Sequence, residues 1–287
     1  MDEATLYASL QRLSARPIVV ASHPRSGTHL MIDLLRKQFA ECRSWKFPGE
    51  RLDRLYCNLD IMHWDPAPVP WSTAVRILGR TSRPVVKTHA WPDWQWWFFK
   101  DHSGELGTAW KNWLDRNAEF MYVYRDGRAV MCSYYLFCRG CDPDVRNMGL
   151  STFMRQSHEG RSRVAAWADH VRAWMGRERV RSYRFEDVTR RTDELLQTLA
   201  RDMDLTRTYR QPMLPRPLRR LTHSRLQRLF GVRPESSAVL GDQKGPAKLR
   251  WQEQFTLDDR RFFHEESEGL LVELGYEAND EWVAGKP

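Results

Sequence analysis

Residues 17–36 read Pro-Ile-Val-Val-Ala-Ser-His-Pro-Arg-Ser-Gly-Thr-His-Leu-Met-Ile-Asp-Leu-Leu-Arg. The short apolar run from Ile18 to Ala21 reads as a buried strand, and Ser22 to Thr28 as a tight polar loop. Leu30, Met31, Leu34 and Leu35 then recur at helical spacing. A strand, a small-residue loop and a helix in this order aim backbone N–H groups and a helix N-terminus at one point, where a phosphate-like anion binds. Arg25 adds a charge, Ser26 and Thr28 add hydroxyl donors, and Gly27 lets the backbone approach closely.

Two more strand ends carry comparable chemistry. Residues 84–88 form an apolar strand that runs into Lys87-Thr88-His89. An imidazole with pKa near ~6.5 is suited to take a proton from a weak nucleophile such as an alcohol. Residues 119–124 form a third strand running into Arg125-Asp126-Gly127-Arg128, followed by a helical pattern from Ala129 to Phe137. Arg125 can hold a phosphate with two N–H groups, and Ser133 can add a hydrogen bond.

The remaining chain fits the same architecture. Residues 1–16 read as a short amphipathic helix, and 37–82 as a helix plus long loops. Residues 151–176 read as one helix burying Phe153, Val164, Trp167, Val171 and Trp174. A more edge-like strand is expected over 178–185, a helix over Thr189 to Asp202, and a last helix over Thr256 to Gly275. Strands alternating with helices predict an α/β fold, one domain over 1–287, with a mostly parallel central sheet flanked by helices. Its site should lie at the carboxyl ends of the strands.

Composition narrows the function classes. A net charge of +8 favours an anionic partner without saying which. The five cysteines have no finger-like spacing, so reduced thiols, no metal site and a cytoplasmic location are expected. No apolar stretch approaches ~18–20 residues, so no membrane span is expected, and the acidic N-terminus has no signal-peptide core. A nucleoside-triphosphate loop would read G-x-x-x-x-G-K-[ST], and a dinucleotide loop G-x-G-x-x-G; neither is present.

His23-Pro24-Arg25-Ser26-Gly27-Thr28-His29-Leu30 resembles the 5′-phosphosulfate loop of sulfotransferases that use 3′-phosphoadenosine 5′-phosphosulfate (PAPS). The resemblance implies that Arg25, Ser26, Gly27, Thr28 and His29 cradle the 5′-phosphosulfate, with Arg25 at the leaving oxygen. Lys87-Thr88-His89 is similar to the Lys-Thr-His of the cytosolic-type branch, which implies His89 as general base and Lys87 beside the sulfuryl group. Arg125 and Ser133 match the family's 3′-phosphate motif in type and spacing. Ser182-Tyr-Arg-Phe185-Glu-Asp resembles a family Tyr-Glu-Asp near the adenine, with Phe185 for the tyrosine; a plain core phenylalanine is the other reading. Lys244-Gly245 followed by Trp251 and Phe255-Thr256 resembles the late loop that grips the 3′-phosphate. The first basic residue of that loop is replaced by Gln243, and Lys248 or Arg250 could substitute for it.

The family implies PAPS as co-substrate, no metal, and a small-molecule hydroxyl or amine acceptor rather than nucleic acid. A carbohydrate acceptor, a kinase-like phosphotransferase and a non-catalytic polyanion binder are the alternatives. The Trp-rich stretch 91–113 reads either as an acceptor wall or as core packing. Oligomeric state is left open.

Overall fold

A computed structural model describes residues 3–44, 55–61, 71–93, 104–158, 160–210 and 249–285. Its strands are β1 (Ile18–Ala21), β2 (Cys57–Asn58), β3 (Val85–Thr88), β4 (Glu119–Tyr124), β5 (Ser157–His158), β6 (Arg161–Ser162) and β7 (Val180–Arg184). Five of them form a sheet in the order β2-β3-β1-β4-β7, with every pairing parallel. β5 and β6 make a separate antiparallel pair. The chain places β3 on one side of β1 and β4 on the other. The sheet therefore has its topological switch at β1, where open α/β sheets hold their ligands.

The helices follow from where apolar side chains recur. They are α1 (Glu3–Gln11), α2 (Thr28–Gln38), α3 (Trp71–Leu78), α4 (Gly104–Asn117), α5 (Gly127–Cys141), α6 (Leu150–Arg155), α7 (Arg163–Met175), α8 (Phe185–Arg190) and α9 (Thr192–Met203). Three more close the described chain: α10 (Trp251–Gln254), α11 (Leu257–Ser267) and α12 (Leu270–Glu273). Because side chains alternate along a strand, Val19 and Ala21 of β1 face one core while Ile18 and Val20 face the other. The first core packs Leu6 and Leu10 of α1, Trp110 and Trp113 of α4, Trp167 and Trp174 of α7 and Phe263 of α11. The second packs Met31, Leu34 and Leu35 of α2 with Leu195, Leu196 and Leu199 of α9. Burial of such stripes, at roughly 25 cal/mol per Å² of apolar surface, holds helices on both faces.

Several expected elements are divided. The single helix expected over 151–176 is α6 and α7 separated by the β5–β6 hairpin, because Ser162 caps α7 by accepting from the Ala165 N–H at 3.0 Å. The helix expected over Thr189 to Asp202 begins earlier, as α8, and restarts as α9. The helix expected over Thr256 to Gly275 is α11 and α12, broken where Glu268 turns left-handed at φ 49°. A Thr256–Asp259 capping box starts α11. The stretch 37–82 also holds the edge strand β2, which was not expected.

The late chain docks beside α5. The Arg128 guanidinium lies 3.8 Å from the Trp251 ring centroid and 4.7 Å from that of Trp282, and it pairs with Asp126 and Glu277. At Gly127 any Cβ would run into the Trp167 indole, so only glycine lets α5 start this close to α7. Among the described residues, no helix is long and apolar enough to cross a membrane, and no disulfide joins any cysteines.

Candidate active site

The sheet register assembles the site. Ala21 pairs with Thr88 on one side and with Tyr122 on the other, so Ser22 and His89 leave their strands side by side. Asn58 pairs with Lys87, which brings Asp60, in the short 3-10 turn Leu59–Ile61, alongside the same edge.

The loop between β1 and α2 is bent by two left-handed residues, Arg25 at φ 70° and Gly27 at φ 106°. A left-handed non-glycine residue is strained, and such strain collects at sites. A Cβ at Gly27 would meet the Phe185 ring as well as the unfavourable φ, so this position demands glycine twice over. Thr28 begins α2, and its hydroxyl is hydrogen bonded to that of Ser22. Ser26 is buried, and among the described residues its Oγ has no hydrogen-bond partner.

Two arginines meet over this loop. The Arg25 Nε donates to Ser133 Oγ at 3.3 Å, and Arg125 Nη1 donates to the Arg25 carbonyl at 3.3 Å. Arg25 also lies over the Phe137 ring at 5.0 Å, and Arg125 over the Phe185 ring at 4.5 Å. Burial pulls both guanidinium groups below their ordinary pKa, and the Arg125 charge pulls Arg25 down further. The Arg125 Nε is buried without a partner among the described residues. Two crowded cations, an orphaned hydroxyl and an orphaned N–H are together short of acceptor atoms, which a phosphate-like anion would supply.

On the other side of β1, Lys87, Thr88 and His89 share one carboxylate. Asp60 pairs with Lys87 Nζ, accepts from the His89 N–H at 2.7 Å and accepts from Thr88 Oγ1 at 3.3 Å. Burial alone would push the Asp60 carboxyl up, but the Lys87 and His89 charges and these donors bring it down to about 2. His89 Nδ1 lies 2.7 Å from the Ser22 carbonyl oxygen, which can only accept, so Nδ1 carries the hydrogen. Nε2 is then the basic nitrogen, 3.9 Å from Asp60 Oδ2. Burial, reinforced by Lys87, lowers His89 to about 4, so the imidazole is neutral at pH 7. The arrangement can accept a proton at Nε2 beside a carboxylate able to stabilise the resulting imidazolium.

The structure thus brings Arg25, Ser26, Gly27, Thr28, Lys87, His89, Arg125, Ser133 and Phe185 to one carboxyl edge. His29 joins them, its ring 5.8 Å from that of Tyr56, with its pKa lowered to about 3 by burial first and then by Lys87 and His89. Lys244, Gly245 and Lys248 lie outside the described residues. Arg250 points to solvent, 3.7 Å from Glu253, and makes no described contact with the loops. Trp110 and Trp113 are core residues, Trp91 sits 5.3 Å from the His170 ring, and Trp94, Trp96, Trp97, Phe98 and Phe99 lie outside the described residues.

Sequence reasoning missed Asp60 and His170. Asp60 follows a two-residue strand that has no apolar pattern to announce it. His170 carried a usable signal, since it lies within the apolar stripe Trp167, Val171 and Trp174 of α7.

The Sulfotransferase domain family matches residues 15–211. Mouse (Mus musculus) Sulfotransferase 1A1 is 24% identical over 183 residues, which are 60% of this chain and 53% of that protein. Mouse Sulfotransferase 1E1 is 23% identical over 210 residues, 68% of this chain and 63% of that protein. The chain therefore spans between about half and two thirds of the length of these curated relatives. The crystal structure of mouse sulfotransferase SULT7A1, complexed with PAP, superposes with a TM-score of 0.51 at 12% identity, covering 97% of this chain and 91% of that one, and so has the same fold. The family match takes in β1 and its loop, Lys87 to His89, Arg125, Ser133 and β7, well over half of the sequence, and the chain belongs to the sulfotransferase-domain family.

Proposed function

We propose that this chain is an enzyme that transfers a sulfuryl group from PAPS to a hydroxyl or amine of a small-molecule acceptor, with His89 as general base. One observation carries the proposal. A neutral imidazole with a bare Nε2 and a two-arginine anion loop short of acceptor atoms lie on opposite sides of the same strand end.

The residues present fit the nucleotide. Arg25, Ser26, Gly27, Thr28 and His29 would hold the 5′-phosphosulfate, Arg125 and Ser133 the 3′-phosphate together with Lys244 and Gly245, and Phe185 would pack beside the adenine. When bound, PAPS supplies an electrophilic sulfur and a phosphate leaving oxygen. His89 Nε2 takes the acceptor's proton while Nδ1–H stays on the Ser22 carbonyl, and Asp60 stabilises the imidazolium. Arg25 and Lys87 offset the negative charge that builds near the loop, a preorganised electrostatic contribution.

His23 and His170 are buried in an aromatic cluster beside the strand ends. The His23 ring meets those of Tyr134 and His170 at 5.8 and 5.7 Å, and Trp91 meets His170 edge-on. We place the chain in a reducing, cytoplasmic compartment on its free thiols, four of them buried.

The test is a thermal shift with 3′-phosphoadenosine 5′-phosphate, followed by a labelled-sulfate transfer screen over phenols, alcohols, amines and sugars. Saturation near 100 times the dissociation constant should add about 2.7 kcal/mol of stability. No shift with the nucleotide, together with no transfer to any acceptor, would overturn the proposal; turnover of ATP instead would point to a phosphotransferase.

A further inference from the structure

A buried chain of polar groups links the anion loop to the backbone that carries His89. The His23 N–H donates to Tyr122 Oη at 3.3 Å. The Tyr122 hydroxyl lies 2.9 Å from His170 Nδ1. His170 Nε2 lies 3.1 Å from the His89 carbonyl oxygen and 3.3 Å from that of Ala90. Trp174, one turn further along α7, donates to the same Ala90 carbonyl at 2.9 Å.

The proton positions follow from the partners. Carbonyl oxygens only accept, so His170 Nε2 carries the hydrogen. In a neutral imidazole Nδ1 is then an acceptor, and the Tyr122 hydroxyl must donate to it. That leaves the Tyr122 oxygen to accept the His23 N–H, as the geometry has it. Every member of the chain is used in one direction only. Burial supports the neutral form, lowering His170 to about 4 and pushing the Tyr122 phenol up.

A core position on α7 needs no polar side chain for packing. Trp167, Val171 and Trp174 already fill this face, and an unsatisfied imidazole there would be costly. The polar side chain is instead spent on the peptide that follows Lys87-Thr88-His89. Catalytic groups must be held within about half an ångström of their working geometry, and partners behind them do this.

We infer that His170 is a positioning residue: its Nε2–H holds the His89 carbonyl, and through Tyr122 it ties the base-bearing segment to the phosphosulfate loop at His23. The consequence for turnover rests on the sulfotransfer reading above; the consequence for the His89 ring does not.

Two substitutions separate the ends of the imidazole. His170→Gln keeps a donor at the reach of Nε2. His170→Asn keeps an acceptor near Nδ1 but cannot reach the His89 carbonyl. The full chain is compared with both variants by imidazole NMR of the His89 Nδ1–H, and by kcat, acceptor KM and 3′-phosphoadenosine 5′-phosphate affinity. We expect the His89 Nδ1–H resonance to persist in the glutamine variant and to shift or broaden in the asparagine variant. We also expect kcat to fall about tenfold in the asparagine variant and at most about threefold in the glutamine variant, with nucleotide affinity unchanged in both. Identical His89 spectra in the two variants would overturn the positioning role whether or not the chain transfers sulfate. A wild type that binds no nucleotide and transfers no sulfate would instead overturn the functional reading, and the NMR comparison would still judge His170. A Tyr122→Phe variant, which removes only the hydroxyl, should reproduce a smaller shift of the same resonance, and no shift there would remove the loop from the chain.

Discussion

His89 Nδ1 donates to the Ser22 carbonyl oxygen at 2.7 Å. The loop after β1 thereby fixes the tautomer of an imidazole at the end of the neighbouring strand, and Nε2 is left as the basic atom. Replacement of His89 by Ala should lower kcat by about 10²–10⁴ while the thermal shift by 3′-phosphoadenosine 5′-phosphate stays nearly intact. With its pKa near 4, His89 is deprotonated above that value, so wild-type kcat should rise with pH through about 4 and be flat near neutrality. A fully active alanine variant would show that another group takes the proton.

Acid should destabilise the fold earlier than carboxylates alone would. His29, His89 and His170 have folded-state values lowered to about 3, 4 and 4. Their unfolded value is about 6.5. The unfolded chain therefore binds more protons in this window. The stability that these groups contribute is complete above pH ~6.5 and is lost as pH falls towards their folded values, by up to about 1.4 kcal/mol per pH unit for each. Urea midpoints between pH 7 and pH 5 should fall, and His170→Gln should flatten the slope. An unchanged slope would mean that the histidines are not held neutral.

Gly27→Ala should both strain the loop and collide with the Phe185 ring. A left-handed non-glycine residue costs about 1–3 kcal/mol. The melting temperature is expected to drop and nucleotide binding to weaken. Adding Phe185→Leu should recover part of the loss, since it relieves the contact but not the backbone. Full recovery would mean that φ at Gly27 costs nothing.

Asp60→Asn removes the charge shared by Lys87 and His89 while keeping atoms that can accept from the backbone. Leaving a buried lysine without its carboxylate should cost about 3 kcal/mol. Lys87→Met in the same chain should cost much less than the sum of the two single changes. Strict additivity in urea denaturation of the single and double variants would show that the two side chains do not interact.

The parts of this architecture that were readable have strong local signals. β1, β3 and β4 are apolar runs ending in cations or imidazole, and their carboxyl-end residues meet where the parallel register puts them. The edge strand β2 is two residues long with no alternation to detect, so Asp60 could not be placed beside Lys87 from sequence. The expected helix over 151–176 bridges Phe153 and Val164 in helical phase, but residues 155–163 between them carry no apolar side chain, and Gly160 at φ 80° with the Ser162 cap starts a new helix there. The aromatic density around Trp110 and Trp113 hides the helical period of α4, and both rings turn into the core. His170 sat in a recognised stripe, but its role depends on carbonyls some 80 positions earlier in the chain, a relation no local pattern carries.

The switch of strand order at β1 spreads the groups of the site over two halves of the sheet. The strands on one side, β3 and β2, bring Lys87, His89 and Asp60, a lysine and a histidine gathered on one carboxylate. Those on the other, β4 and β7, lead into Arg125, Ser133 and Phe185, which crowd around the loop as charge and aromatic surface. The halves are nonetheless joined, because His170 of α7, between β4 and β7 in the chain, reaches across to the His89 and Ala90 carbonyls. A change made on the β4–β7 flank can thus be felt at His89 without touching β3, so a designer, like descent with variation, has to carry the two flanks along together.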